Sequence, residues 1–244
     1  MSYFNWDENF ELNVARGKVR GASAIHKFGA VPALSQNTTG TIWDKNDTLY
    51  PWSAFDTAGI ITASVSNASD NGKQVIVMGL DNNYEEISET FTLSSSSTVS
   101  GTISFKRVFR AYLINGSTNN VGDINFTKSG SDVLRITATK SQTLMAIYTI
   151  PAGKTAYIYK GVATAQSSAD GNGNMFIRYF GQQAFRVGHS FEVSGVGGQY
   201  DYKFPFPIRI PEKSDIDIRM TTRTNNGRYT AAFDILLLKE NLDI

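Results

Sequence analysis

The sequence predicts an all-β protein built from two β-sandwich, jelly-roll-like domains with an extended N-terminal arm. Short segments that alternate apolar and polar residues recur along the chain, and a period of two is typical of strands with one buried face. Gly, Asn, Asp and Ser cluster between these segments about every 8 to 12 residues, the turn spacing of sandwiches and barrels. Strong helix formers are sparse, whereas Thr, Val, Ile and aromatic residues are abundant, and this composition favours strands.

We divide the 244 residues into an arm over residues 1–39, a first domain over residues 40–139 and a second domain over residues 140–244. The alternating pattern restarts near Lys140. No long linker separates the two halves, so the boundary between them is soft.

The arm is predicted to be irregular, because several glycines and Pro32 interrupt it. It carries aromatic side chains that would be unfavourable in water, namely Tyr3, Phe4, Trp6 and Phe10. We therefore expect the arm to dock on its own domain or on a neighbouring subunit.

In the first domain, Trp43 and Trp52 flank a turn, and strands are predicted over residues 59–66 and 74–80. Asn71-Gly72 lies between these strands, and this dipeptide predicts a hairpin because both positions tolerate a positive φ. A further turn at residues 81–84 leads into a strand over residues 86–93.

In the second domain, Pro151-Ala152-Gly153 predicts a turn between two strands, and residues 169–174 predict a glycine-rich loop. The stretch S-D-I-D-I-R-M over residues 214–220 is predicted to be a strand. A hairpin turn at residues 225–227 would return it to a last apolar strand.

No constellation in the sequence indicates catalysis. The absence of cysteine excludes disulfides, thiolate catalysis and Cys-based zinc sites. His26 and His189 fall in different parts of the chain, and we interpret both as structural or solvated, although a triad assembled from distant residues stays open. No phosphate-binding loop of the P-loop type occurs, and we predict no cofactor.

Asp215 and Asp217 stand two residues apart and could form the carboxylate pair of a glycoside hydrolase. Ile216 and Ile218 alternate with them, however, and this pattern is typical of a sheet with one dry and one wet face. We interpret the aspartates as the outer face of a strand, exposed to water or to the next subunit, with Arg219 in the same contact region.

Two binding sites are weaker alternatives. Oxygen ligands alternate over residues 170–174, faintly like a calcium loop, but the distal Glu of an EF-hand is missing. A sugar could stack on either of two aromatic groups, which are Trp43, Tyr50 and Trp52, and Tyr200, Tyr202 and Phe204.

Charge gives no case for nucleic acid or for an anionic membrane. The chain has 23 basic and 22 acidic residues, with a net charge of +1, so a nonspecific attraction to polyanions is not expected. The first residues lack the basic region and the following apolar region of a signal peptide. No apolar run approaches the roughly 18 residues of a membrane helix.

Most of the chain resembles a recurring type of virion structural protein from tailed double-stranded DNA bacteriophages. The segments that carry the resemblance are strand-and-turn patterns: N-V-A-R-G-K-V-R-G, H-K-F-G, T-I-W-D, L-Y-P-W, V-M-G-L-D-N-N-Y-E-E-I-S-E-T-F-T-L, V-F-R-A-Y-L-I-N-G-S-T-N-N-V-G-D-I, A-I-Y-T-I-P-A-G-K-T-A-Y-I and I-P-E-K-S-D-I-D-I-R-M. None of them is a catalytic signature, so no functional residues carry over.

The resemblance implies a non-enzymatic component of the particle, made in the host cytoplasm and located in the virion. It would decorate the capsid or belong to the neck or tail, as a homo-oligomer in contact with other virion proteins. The expected interface residues are the arm aromatics, Trp43, Trp52, Asp215, Asp217 and Arg219. A carbohydrate- or receptor-binding module at the virion surface is the alternative, and a polysaccharide hydrolase ranks third.

Overall fold

The computed structural model describes residues 10–45, 48–115, 118–166, 168–196 and 198–240. Strands account for 56% of the structure and helices for 6%, which confirms the all-β class. The helical part of these residues is one short α-helix, α1 (Phe10–Ala15), and two 3₁₀ turns, Trp52–Phe55 and Ala68–Asp70. Within the described residues, no helix is long and apolar enough to cross a membrane.

In the described residues, sixteen strands form four antiparallel sheets. In chain order they are β1 (Ala22–Leu34), β2 (Thr39–Thr41), β3 (Thr62–Val65), β4 (Gln74–Leu80), β5 (Glu86–Thr92), β6 (Val99–Ser100), β7 (Arg107–Asn115), β8 (Ile124–Lys128), β9 (Ser131–Ile136), β10 (Ile147–Thr149), β11 (Lys154–Ala165), β12 (Asp170–Arg178), β13 (Arg186–Ser194), β14 (Tyr200–Ile210), β15 (Asp215–Thr222) and β16 (Gly227–Lys239).

Two of the sheets share one hydrophobic core, and we call them together the C-terminal sheets. The first has the order β1-β16-β11-β14, and the second has the order β10-β15-β12-β13 with β2 also paired to β15. Side chains of both sheets meet in the core between them, as Ile158 and Phe233 of the first sheet do with Met175 and Ile216 of the second. Alternating burial along β12 and β16 places one face of each strand in this core.

The other two sheets, which we call the N-terminal sheets, have the orders β6-β3-β8-β9 and β5-β4-β7. Their core contains Phe91, Phe105 and Phe126, and the segment that precedes β3 adds Trp43 and Trp52 to it. Most of each core comes from one group of sheets, but Phe109 of β7 packs in the core of the C-terminal sheets and Ile147 of β10 packs in that of the N-terminal sheets. The finer prediction of two jelly-roll-like sandwich domains with boundaries at 39 and 139 stays a prediction.

The predicted irregular arm is wrong for residues 22–34. These residues form the 13-residue strand β1, which pairs antiparallel with β16 from Ala22 opposite Leu238 to Leu34 opposite Gly227. The glycine that we expected to interrupt this segment, Gly29, instead permits close packing, because a Cβ there would lie 2.4 Å from the carbonyl oxygen of Ile42.

Two predicted hairpins connect different sheets instead. The turn at Asn71-Gly72 follows β3, which pairs with β6 and β8, and precedes β4, which pairs with β5 and β7. Likewise, β15 and β16 lie in different C-terminal sheets. The turn at residues 81–84 does form a hairpin, because β4 and β5 pair from Leu80 opposite Glu86.

Strand β15 is covered on both faces. Ile216 and Ile218 belong to the core of the C-terminal sheets, while the carboxylates of Asp215 and Asp217 contact side chains that arise from the N-terminal half, such as Arg107 and Trp52. The outer face of β15 therefore lies at the boundary between the two groups of sheets, where its two aspartates are removed from water.

Candidate functional site

Asp215 is the more highly coordinated of two buried carboxylates at this boundary. Arg107 donates from Nε to Oδ1 at 2.8 Å and from Nη2 to Oδ2 at 3.0 Å, a bidentate fork. Arg178 adds two bonds to Oδ2, at 3.0 Å from Nε and 2.6 Å from Nη2. The hydroxyl of Thr149 donates to Oδ1 at 2.6 Å. Asp215 thus links strands β7, β10, β12 and β15.

Asp217 is fully buried and accepts three hydrogen bonds. The indole Nε1 of Trp52 and the Nε of Arg219 each donate to Oδ2 at 2.9 Å. The hydroxyl of Thr41 donates to Oδ1 at 2.9 Å. Asp217 therefore ties β15 to β2 and to the 3₁₀ turn that carries Trp52.

Aromatic rings separate the guanidinium groups of this cluster. The ring of Phe185 lies 4.7 Å from the guanidinium carbon of both Arg178 and Arg219. Trp52 lies 5.4 Å from that of Arg178 and 5.7 Å from that of Arg107. Such stacking stabilises cations that are removed from water, and it fixes the planes in which the guanidinium groups reach the two aspartates.

The pKa of Arg107 shows which influence dominates. Burial works to lower it, but the hydrogen bonds and the negative charge of Asp215 outweigh burial and raise it above its ordinary value. The guanidinium therefore stays charged inside the protein. Removing one partner of such a buried pair typically destabilises a protein by about 3 to 5 kcal/mol, because the other charge stays buried without compensation.

The prediction of a solvated outer face for Asp215 and Asp217 is wrong. The two residues are 2% and 0% exposed, because the N-terminal sheets cover the face of β15 that the sequence pattern leaves for water. Neither residue is available to a neighbouring subunit. Arg219 is partly buried, with 15% of its side chain exposed, and its predicted interface role stays a prediction.

The remaining predicted interface residues have different fates. Trp43 and Trp52 are 1% and 6% exposed and belong to the core of the N-terminal sheets, so they offer no surface to a partner. Phe10 lies in α1 and is 53% exposed. Tyr3, Phe4 and Trp6 lie outside the described residues.

Neither predicted sugar platform is open as a whole. Tyr50 is buried with Trp43 and Trp52. In the second group, the ring of Tyr200 stacks on Phe191 at 4.6 Å, and Phe204 is 7% exposed. Only Tyr202 of that group is well exposed. These aromatic side chains therefore mainly pack against one another between β13 and β14.

The proposed calcium loop at residues 170–174 is part of strand β12. The carboxylate of Asp170 faces Arg223, whose Nη1 lies 3.1 Å from Oδ1. Gly173 is needed for packing, since a Cβ there would lie 2.2 Å from the ring of Phe191. Within the described ranges, no group of three His, Cys, Asp or Glu residues is arranged to hold a metal ion.

Sequence reasoning missed Arg107, Arg178 and Thr149 as partners of the acidic pair. They lie 108, 37 and 66 positions from Asp215 along the chain. The sequence did contain one local signal. Asp215, Asp217 and Arg219 are spaced two residues apart, so they lie on the same face of a strand, where opposite charges can pair with each other when water is excluded.

No protein-family model matches this sequence, and a search of curated proteins finds no match. Several solved structures match this chain at low similarity. The T13 viral particle of IBDV matches at 11% identity and a TM-score of 0.27, over 90% of this chain and 66% of that one. The infectious bursal disease virus Gx strain matches at 11% identity and a TM-score of 0.25, over 91% of this chain and 72% of that one.

The VP2 subviral particle of infectious bursal disease virus matches at 10% identity and a TM-score of 0.23, over 90% of this chain and 68% of that one. The chain spans just under two-thirds of the length of the first of these structures. Similarity at this level supports no conclusion about function.

Proposed function

We propose that this chain is a non-enzymatic virion structural protein that assembles in multiple copies, on the capsid as a decoration or cement protein or at the neck or tail of a tailed bacteriophage. The observation that carries the proposal is that the acidic pair has a structural role. Asp215 and Asp217, the carboxylates with the best spacing for chemistry, are saturated by buried donors that join the two groups of sheets. A fixed relative orientation suits a subunit that repeats around a symmetric particle.

Exposed apolar side chains provide contacts for such an assembly. Phe206 is 90% exposed and stands between Pro205 and Pro207 on the edge strand β14. Because proline fixes φ and lacks an N–H donor, this segment presents an aromatic side chain rigidly while it resists extension of the sheet. Aromatic anchors of this kind dominate the energetics of interfaces.

The expected partners are copies of the chain and other proteins of the particle. The protein would be synthesised in the host cytoplasm and then become part of the virion. We propose no role in nucleic-acid or membrane binding. The N-terminal residues, with Tyr3, Phe4 and Trp6, are proposed to pack on a neighbour.

Assembly can be tested with two variants of the complete chain. The first lacks residues 1–9 only, because a deletion through residue 39 would remove β1 from its sheet. The second is Phe206→Ser, with Ile114→Ser as the matched control, since Ile114 is 46% exposed on an N-terminal sheet. Incorporation into particles is measured by mass spectrometry of purified virions from infected cells.

We expect Phe206→Ser and the 1–9 deletion to reduce incorporation several-fold, while Ile114→Ser incorporates normally. Circular dichroism of each purified chain separates an assembly defect from a folding defect. Normal incorporation of both variants would disprove the proposed contacts. Absence of the chain from purified virions would disprove the virion role itself.

Glycan recognition at the virion surface is the second candidate. It requires a site other than the aromatic platforms, because Trp43, Tyr50 and Trp52 are buried. A polar recess beside the acidic pair is the observation that favours it, and a glycan array of the purified chain tests it.

A further inference from the structure

A recess of about 200 Å³ lies next to Asp215, between the loop that follows β12 and the beginning of β7. Four cationic side chains line it: Lys106, Arg107, Arg178 and Lys213. Arg107 and Arg178 are largely buried, with 8% and 14% of their side chains exposed, and they form its floor.

The cations outnumber the carboxylates that line the recess. Arg107 and Arg178 share one carboxylate, that of Asp215, and Asp56 is the only other acidic residue of the described lining. Outside the lining, a carboxylate oxygen of Glu212 lies 4.0 Å from the ammonium of Lys213. Lys106 donates to a neutral acceptor, the backbone oxygen of Asp56, at 2.7 Å. Burial and, after it, the charge of Arg107 lower the pKa of Lys106. An anion in the recess would relieve this repulsion.

The rim adds an apolar face and amide groups. Phe180 is 59% exposed, and its ring is held edge-on to Tyr84 at 5.7 Å with the ammonium of Lys213 5.3 Å from its centre. The amides of Gln182 and Gln183 also line the opening, and each can both donate and accept hydrogen bonds.

The backbone is strained at two positions of the lining. Tyr84 has a φ of 66° and Lys213 a φ of 59°, which is the left-handed region that residues with a side chain seldom occupy. Such strain has a free-energy cost of order 1 to 3 kcal/mol per residue and is concentrated at ligand-binding sites. Both residues place their side chains against the same recess.

We propose that this recess binds a carboxylate-bearing sugar, of the uronic or sialic acid class. The arginine and lysine side chains would hold the carboxylate, the glutamine amides would bind hydroxyls, and Phe180 would pack against the face of the sugar ring. The volume is below the roughly 300 Å³ of the smallest drug-sized pockets, which suits one sugar ring. The recess gives a place and a ligand class to the glycan-binding candidate, and it does not depend on assembly into particles.

The test is titration of the purified complete chain by calorimetry and ligand-observed NMR. The probes are glucuronate and N-acetylneuraminate, with glucose as the neutral counterpart, glucose 6-phosphate as the phosphate arm and a hexaglutamate peptide as the protein arm. Lys213→Gln and Phe180→Ala alter the rim and leave the Asp215 cluster intact. Lys140→Gln, at an exposed lysine outside the recess, is the matched control.

We expect the acidic sugars to bind and glucose not to bind, with roughly tenfold weaker binding in Lys213→Gln and weaker binding at high salt, as expected for a charge-assisted contact. Phe180→Ala should also weaken binding, and Lys140→Gln should not. The proposal is overturned if no acidic sugar binds, if glucose binds equally well, or if the rim variants bind as the wild type does. Binding of only the phosphate or only the peptide would overturn the assignment to a sugar.

Discussion

Asp217 and Asp44 are both buried carboxylates, but their hydrogen-bond partners differ. Asp217 has a cationic partner, Arg219, with a distance of 2.9 Å between its carboxylate oxygen Oδ2 and Nε of the arginine. Asp44 is 5% exposed, and its Oδ2 accepts hydrogen bonds from neutral donors, the backbone N and the hydroxyl of Thr137. Burial therefore raises the pKa of Asp44 to about 7, although the bonds from Thr137 oppose the shift.

Asp44 should make stability depend on pH. Its unfolded-state pKa is near the ordinary value of about 4, so between about pH 4 and pH 7 the folded protein holds a proton that the unfolded chain has released. The free energy of unfolding should then fall as pH rises through this window, with a slope of up to about 1.4 kcal/mol per pH unit. Asp44→Asn should remove this slope, measured by urea unfolding at several pH values.

The difference between the slopes of the wild type and Asp44→Asn isolates Asp44, because the other titrating groups contribute equally to both proteins. Asp201→Asn is a suitable control, because Asp201 is 49% exposed and its ion pair with Lys160 lies at the surface. An unchanged slope in Asp44→Asn, together with an unchanged slope in the control, would show that Asp44 titrates normally.

At the scale of elements, alternation predicted strands well but could not predict their sheets. The pattern in residues 214–220 identifies β15 correctly, and the turn at residues 81–84 identifies a true hairpin. In the dipeptide Asn71-Gly72 only Gly72 has the expected positive φ, 78°, while Asn71 has a φ of −58°, and the next strand enters another sheet. Turn chemistry fixes the local reversal, whereas packing of distant strands decides the partner.

The same limit applies to the faces of a strand. Alternating Asp and Ile residues in β15 predict two faces of different polarity, and this much is correct. The sequence pattern cannot show that a second group of sheets covers the polar face, because Arg107 and Trp52 come from positions more than one hundred residues earlier. The sequence therefore identified the two aspartates of the candidate site but not the residues that bind them.

Packing between β12 and β13 provides a test at this scale. Gly173→Ala would place a methyl group 2.2 Å from the original position of a Phe191 ring atom. Overpacking of this kind destabilises proteins by about 1 to 3 kcal/mol, and chemical denaturation should show a loss in this range. The loss should be smaller in a Phe191→Leu background, because the ring atoms that the added methyl group would contact are then absent. Equal losses in both backgrounds would mean that the two strands do not pack in this register.

At the scale of the whole molecule, the two groups of sheets are joined by polar contacts as well as by apolar ones. Arg107 begins β7 of the N-terminal sheets, and Asp215 begins β15 of the C-terminal sheets. Lys27 of β1 makes a further link, because its ammonium donates at 2.5 Å to the backbone oxygen of Phe109 in β7. Specific links at several points favour cooperative unfolding of both groups.

Arg107→Met tests this coupling, because it removes the bidentate contact across the boundary and keeps much of the side-chain volume. Asp215 would retain Arg178 and Thr149 as partners, so each group of sheets should still fold. In scanning calorimetry we expect one transition for the wild type and two for the variant, with the first at a lower temperature. Arg110→Met is the control, since Arg110 is an exposed residue of the same strand β7, and it should keep a single transition. Two transitions in the wild type would mean that these links do not couple the two groups. One unshifted transition in Arg107→Met would mean that the contact with Asp215 does not contribute to the coupling.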